Sequence, residues 1–180
     1  MLKQDQAVLV VVDYQGKLLP SIAGQEGLLR RAGRLIRGAR LLELSIVVTE
    51  QYPKGVGPTE AGIVTALGDA YRPIQKKTMS CMGVSEFREA LEATGKRQVL
   101  LCGIEAHVCV HQSAADLLEA GYEVHLIADC VSSREARDAE HAVQRAAQMG
   151  CRISTHEMAI FEILRRSDTP AFKEWIKIIR

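Results

Sequence analysis

Five short runs of β-branched and other apolar residues, each separated from the next by longer segments, leave this 180-residue chain few ways to fold. The runs are Ala7–Val12, Ser45–Thr49, Val99–Cys102, Glu123–Ala128 and Cys151–Ser154, with a weaker one at Arg72–Gln75. They are rich in Val, Ile and Leu with little polar alternation, the pattern of strands covered on both faces. Between them lie helical patterns. Gly27–Leu44 places Leu28, Leu29, Ala32, Leu35, Ile36 and Ala39 on one stripe, and Val84–Thr94, Val110–Ala120, Arg134–Met149 and Pro170–Ile179 read the same way. Gly121 and Gly150 stand where helices should stop, and Ser132 and Ser133 stand where one could be capped. Repeated strand–helix–strand order implies a parallel sheet with right-handed crossovers. The expectation is an α/β chain in three layers, with a central, mostly parallel sheet of about six strands and helices on both faces.

Composition narrows the function classes. A mass of 19.8 kDa, 47% hydrophobic residues and 25% charged residues fit one globular domain over 1–180, and no linker, repeat or low-complexity stretch divides it. Net charge is +1, from 23 basic and 22 acidic residues, and aromatics are 4%. That balance lacks the basic excess and stacking residues of a nucleic-acid binder. No apolar run approaches the ~20 residues of a membrane span. The first run is too short for a secretory segment and ends in an aspartate, so a cytoplasmic location is expected. Five cysteines, Cys81, Cys102, Cys109, Cys130 and Cys151, form no CxxC pair and are expected as free thiols.

In open α/β sheets ligands bind at the carboxyl ends of the strands, so the strand ends carry the functional reading. The Pro- and Gly-rich segment Gln51–Thr59 reads as a loop at such an end. Asp13 closes the first run and suits either a turn cap or a general base above an apolar strand. Cys109 suits either a packed core thiol or a nucleophile, since the start of a helix favours a thiolate. Lys76 and Lys77 follow the weak run, and either a solvated role or that of a cation beside a thiolate fits them. No GxGxxG follows the first run, which speaks against a nucleotide-binding oxidoreductase.

These residues resemble those of the isochorismatase-like cysteine hydrolases, and most of all the small isochorismatase-domain subgroup. The resemblance runs from Leu9-Val10-Val11-Val12-Asp13-Tyr14-Gln15 to the C-terminal helix. It passes through Thr49-Glu50-Gln51-Tyr52-Pro53-Lys54-Gly55, Lys77-Thr78 and the most specific stretch, Cys102-Gly103-Ile104-Glu105-Ala106-His107-Val108-Cys109-Val110. It implies a Rossmann-like sheet and an Asp–Lys–Cys triad, carried here by Asp13, Lys77 and Cys109. Lys77 is preferred to Lys76 because a threonine follows it. The resemblance also implies a cis peptide between Ile104 and Glu105, with the backbone amides of Glu105 and Cys109 forming an oxyanion hole. Gln15, Gln51, Tyr52 and Ile104 are then expected at the substrate.

The function implied is cysteine-dependent hydrolysis of a small amide-like or related molecule through a thioester, without a cofactor. The expected partners are a small-molecule substrate and further copies of the chain, a dimer or higher homo-oligomer, with no nucleic acid and no membrane. The Asp-x-His zinc site of nicotinamidases is not matched, because Thr49-Glu50-Gln51-Tyr52 stands in its place and no histidine precedes His107. Two other readings share the fold: a non-catalytic oligomeric small-molecule-binding protein, and an isochorismate-type vinyl-ether hydrolase. His125 reads as a satisfied core residue, His111 as a pocket-wall or subunit-contact residue, His141 as helix surface and His156 as loop.

Overall fold

A computed structural model describes residues 1–180. Six strands form one parallel sheet: β1 Ala7–Val12, β2 Ser45–Gln51, β3 Ile74–Lys76, β4 Gln98–Ile104, β5 Glu123–Ser132 and β6 Arg152–Ser154, in the spatial order β3-β2-β1-β4-β5-β6. This is the Rossmann order, and its direction of winding reverses between β1 and β4. The helices are α1 Gln25–Leu41, α2 Pro53–Val56, α3 Ala61–Leu67, α4 Ser85–Ala93, α5 His111–Glu119, α6 Ala136–Met149, α7 His156–Leu164 and α8 Pro170–Ile179.

The two faces of β1 show why the apolar runs lack alternation. Leu9 and Val11 pack with Leu35 and Ile36 of α1, Ile63 of α3, Ile160 of α7 and Trp175 of α8. Val8, Val10 and Val12 pack with Phe87 and Leu91 of α4, Leu117 of α5 and Ala142 of α6. Successive side chains point to opposite faces, and both faces are covered, so every position of β1 is apolar and buried.

The expected strands and five amphipathic helices are present, with shifted ends. Three helices were not legible in the sequence. α2 is a single turn inside the expected Gln51–Thr59 loop. α3 is short, and the Glu60 side chain caps it by accepting from the Ile63 amide. α7 carries apolar residues around most of its circumference, so it has no clean stripe. His156 therefore belongs not to a loop but to the first turn of α7. It is 5% exposed, with its Nδ1 2.5 Å from Asp129 Oδ2. Gly150 caps α6 in the left-handed conformation as expected, but Ser132 and Ser133 do not cap it. Ser132 Oγ donates to the Ala23 carbonyl, and Ser133 Oγ pairs with His107. His125 is buried and paired with Glu123, the satisfied core role expected of it. All five cysteines are free and buried.

One glycine is fixed by geometry. At Gly103 the backbone has φ +140°, and a Cβ there would lie 2.2 Å from the Val12 carbonyl oxygen of the neighbouring strand. Backbone cannot yield as a flexible side chain can, so Gly103→Ala is expected to cost roughly 3 kcal/mol or more of folding stability. Urea denaturation checks this, and a G103A protein within about 1 kcal/mol of the parent would contradict the close approach.

Candidate active site

β1 and β4, the strands at which the winding reverses, deliver Asp13 and Cys109 to one end of the sheet. Asp13 follows β1 directly with φ 52°, a left-handed turn at a buried residue. Its amide donates to the Thr49 carbonyl, and Thr49 Oγ1 donates to its Oδ1 at 2.8 Å. Cys109 lies in a π-helical turn, Ala106–Val110, that leads from β4 into α5. Such turns often occur at functional sites. The turn is pinned from outside. His107 Nδ1 lies 2.8 Å from Ser133 Oγ, and Arg134 Nε donates to Glu105 Oε2 at 2.9 Å. The Ile104–Glu105 peptide is cis, as the resemblance implied.

The lysine at this site is Lys76, not Lys77. Lys76 Nζ lies 2.7 Å from Asp13 Oδ2, with both side chains essentially inaccessible. Lys77 points away into solvent, its ammonium 5.9 Å from the centre of the Tyr52 ring. Strand parity explains the correction. Ile74 and Lys76 share the inward face of β3, while Gln75 faces out. Lys77 lies beyond the last strand residue, and the following threonine has no bearing on which face a lysine takes.

Lys76 has four oxygen neighbours for three protons. Its ammonium donates to Gln51 Oε1 at 2.7 Å, to the Met79 carbonyl at 3.0 Å and to the Thr78 carbonyl at 3.2 Å. Asp13 Oδ2 is left with an ion-pair contact and no directed hydrogen bond. An ammonium carries only three donors. The Cys109 thiol is near enough to both Asp13 and Lys76 that their charges shift its proton affinity.

The electrostatics differ from the sequence expectation at one point. Burial pushes the Cys109 thiol up to about 12, the Asp13 charge pushes the same way, and the Lys76 ammonium opposes both. The helix start and the cation do not outweigh burial, so the resting group is a thiol, not a thiolate. Burial also raises the Asp13 carboxyl, against the downward pull of Lys76, Thr49 and Cys109. For Lys76, burial acts downward, but the Asp13 charge wins and the ammonium is held above its ordinary value.

The four residues expected at the substrate take different places. Gln15 is fully buried and its amide is committed. Its Nε2 donates to the Gln51 and Gly57 carbonyls, and its Oε1 accepts from the Gln51 amide. It fastens the β2 end to the following loop and is not free for a ligand. Gln51 is likewise engaged, with Oε1 on Lys76 and Nε2 donating to the Lys77 carbonyl at 3.1 Å. Ile104 is 0% exposed and belongs to the core. Tyr52 is the most open of the four, 48% exposed on a cleft of about 540 Å3. Glu50 is buried, and its Oε1 accepts from the Thr59 amide, the Thr59 hydroxyl and the Tyr71 hydroxyl, each at 2.8 Å. It anchors the loop over the site, a role with no signal beyond its place at the end of an apolar strand. His111 starts α5, half-buried, with Nδ1 unpartnered.

A six-stranded parallel sheet in this order, with helices on both faces, is a Rossmann-like α/β fold. The Isochorismatase domain model matches residues 7–158, and the chain belongs to that family. Isochorismatase domain-containing protein 2 of Danio rerio is 39% identical over 175 residues, covering 96% of this chain and 86% of the relative. A Caenorhabditis elegans structure described as MAR1 ribonuclease is 37% identical with TM-score 0.92, covering 99% of this chain and 91% of that one. The YcaC gene product of Escherichia coli, described as an octameric hydrolase of unknown specificity, has TM-score 0.92 at 22% identity, covering 98% and 89%. At that identity it shows a shared fold.

The signs of the couplings at Cys109 give a test. Asp13 raises the thiol and Lys76 lowers it, so Asp13→Asn is expected to move the pH midpoint of iodoacetamide labelling at Cys109 down and Lys76→Met to move it up. Lys77→Met is expected to leave it in place. Rate-against-pH labelling with peptide mapping reads all three. A shift from Lys77→Met as large as that from Lys76→Met would contradict the assignment.

Proposed function

We propose that this chain is a cysteine-dependent hydrolase of a small amide-like or related molecule, acting through Asp13, Lys76 and Cys109. The observation that carries the reading is the buried Asp13–Lys76 pair, whose two charges both act on the Cys109 thiol. A buried ion pair is a weak device for stability, whereas perturbed, mutually coupled groups at a strand-end site are what acid–base chemistry needs.

Each group has one role. Asp13 Oδ2, lacking a directed donor, accepts the thiol proton as Cys109 Sγ attacks the substrate carbonyl carbon. Proton transfer and attack go together, because a free thiolate is unfavourable at this burial. The backbone amides of Glu105 and Cys109 hold the oxyanion. Collapse breaks the C–N bond, and the amine leaves with the proton from Asp13. Water, deprotonated by Asp13, then attacks the thioester. The C–S bond breaks, the acid is released and the proton returns to sulfur. Lys76 remains an ammonium throughout, because four oxygens surround it, and it keeps Asp13 ionised between proton transfers. Every step is assigned to the chain's own groups. Thr49 orients Asp13, and Gln51 orients Lys76.

The same reading takes residues 1–180 as one catalytic domain, cytoplasmic and assembled as a homo-oligomer. No helix is long and apolar enough to cross a membrane, and the five free thiols suit a reducing compartment.

Cys109→Ala is expected to lower turnover of a hydrolysed substrate by at least about a thousandfold, and Cys109→Ser nearly as much. A screen of small amides, ureides and isochorismate against the parent and both variants provides the measurement. Full activity in C109A would end the nucleophile assignment. RNA cleavage that survives C109A would favour the activity described for the C. elegans relative.

A further inference from the structure

Beside the buried triad lies a basic cleft that the chemistry above leaves unused. It opens at the carboxyl ends of β2 and β3 and is walled by Tyr52, Pro53, Lys54, Gln75, Lys76 and Lys77. A second hollow, lined by Gln51, Tyr52 and Lys77, adjoins it through shared residues. No carboxylate lines either. The nearest acid in sequence, Glu50, is buried and occupied by three donors. Lys54 and Lys77 are exposed, while Lys76 is neutralised by Asp13 inside. The chain as a whole carries a net charge of only +1, so this local excess is not the overflow of a generally basic protein.

The cleft is also built. Tyr52 is held at φ 34°, its amide donating to the Lys76 carbonyl at 2.9 Å. A Cβ on Gly55 would come within 2.5 Å of its ring, so that glycine lets the ring lie close against the α2 turn. The Lys77 ammonium sits 5.9 Å from the ring centre. Gln51 joins the cleft to the catalytic centre: its Oε1 holds the Lys76 ammonium on the buried side, and its Nε2 donates to the Lys77 carbonyl on the open side.

We propose that this cleft is the anion subsite of the catalytic centre. The substrate is a small acyl compound carrying a carboxylate or phosphate, which Lys77 and Lys54 hold against Tyr52 while its carbonyl reaches Cys109. The proposal rests on the hydrolase reading for the second half of that sentence, but the anion site itself is measurable without turnover. Two ammonium groups without counter-charges attract an anion and gain nothing from a neutral amide.

Calorimetric titration of the full chain with succinate, inorganic phosphate, neutral succinamide and a short oligouridylate tests it. At low salt succinate or phosphate is expected to bind, and succinamide is not; whichever anion binds more tightly identifies the group. Replacing Lys77 or Lys54 by Gln is expected to weaken anion binding about fivefold each, the scale of a surface ion pair. The bound anion is also expected to slow iodoacetamide labelling of Cys109. The subsite is overturned if neither anion binds, if succinamide binds as well as succinate, or if the K54Q/K77Q protein binds anions unchanged. It is also overturned if the bound anion leaves Cys109 labelling unaltered, or if oligouridylate binds through the same lysines more than tenfold tighter than either anion. Loss of activity in C109A tests the hydrolase reading separately, so the two can fail independently.

Discussion

A carboxylate and an ammonium 2.7 Å apart, both out of contact with water, are the interaction on which the carboxyl end of this sheet depends. Removing either ion from water costs several kcal/mol, which mutual attraction offsets only when the remaining lone pairs and protons are also met. The protein meets them with groups from four places. Thr49 serves Asp13, while Gln51 and the carbonyls of Thr78 and Met79 serve Lys76. Those oxygens compete with Asp13 for the ammonium's three protons, and Asp13 Oδ2 keeps its ion-pair contact at 2.7 Å.

The topology explains why these groups meet. With β1 at the centre and the winding reversing between β1 and β4, the residues that follow those two strands come to the same end of the sheet. Asp13 follows β1 there, and the π turn holding Cys109 follows β4. Gly103 lets β4 approach the Val12 carbonyl closely enough for this. The loop after β2 lies at the same end and is fastened by Gln15 and Glu50. Rigid strands thus set the Asp13–Lys76 pair, and buried polar anchors set the loop beside it.

Much of this was legible in the sequence. Apolar runs without alternation marked strands covered on both faces, and β1 was bounded to the residue. The places of Asp13 and Cys109 in the fold were legible because the one directly follows an apolar run and the other stands near a helix start. Lys76 was missed because a three-residue strand is too short to display its period, and a neighbouring threonine outweighed the parity of Ile74. Gln15, Gln51 and Ile104 were expected at the ligand from proximity alone. The sequence gives no sign that an amide is already saturated by backbone partners, or that a side chain beside a pocket turns into the core. The Cys109 thiol was expected to titrate below a free thiol because a helix start and a lysine can be seen in a sequence, while depth of burial cannot.

The most direct measurement is a double-mutant cycle of Asp13→Asn and Lys76→Met, read by urea denaturation. Each single change leaves a buried charge uncompensated, and the double change removes both charges. A coupling of at least about 1.5 kcal/mol is expected for groups in buried contact. Additive effects within about 0.5 kcal/mol would mean the two residues do not form the pair around which the site is organised.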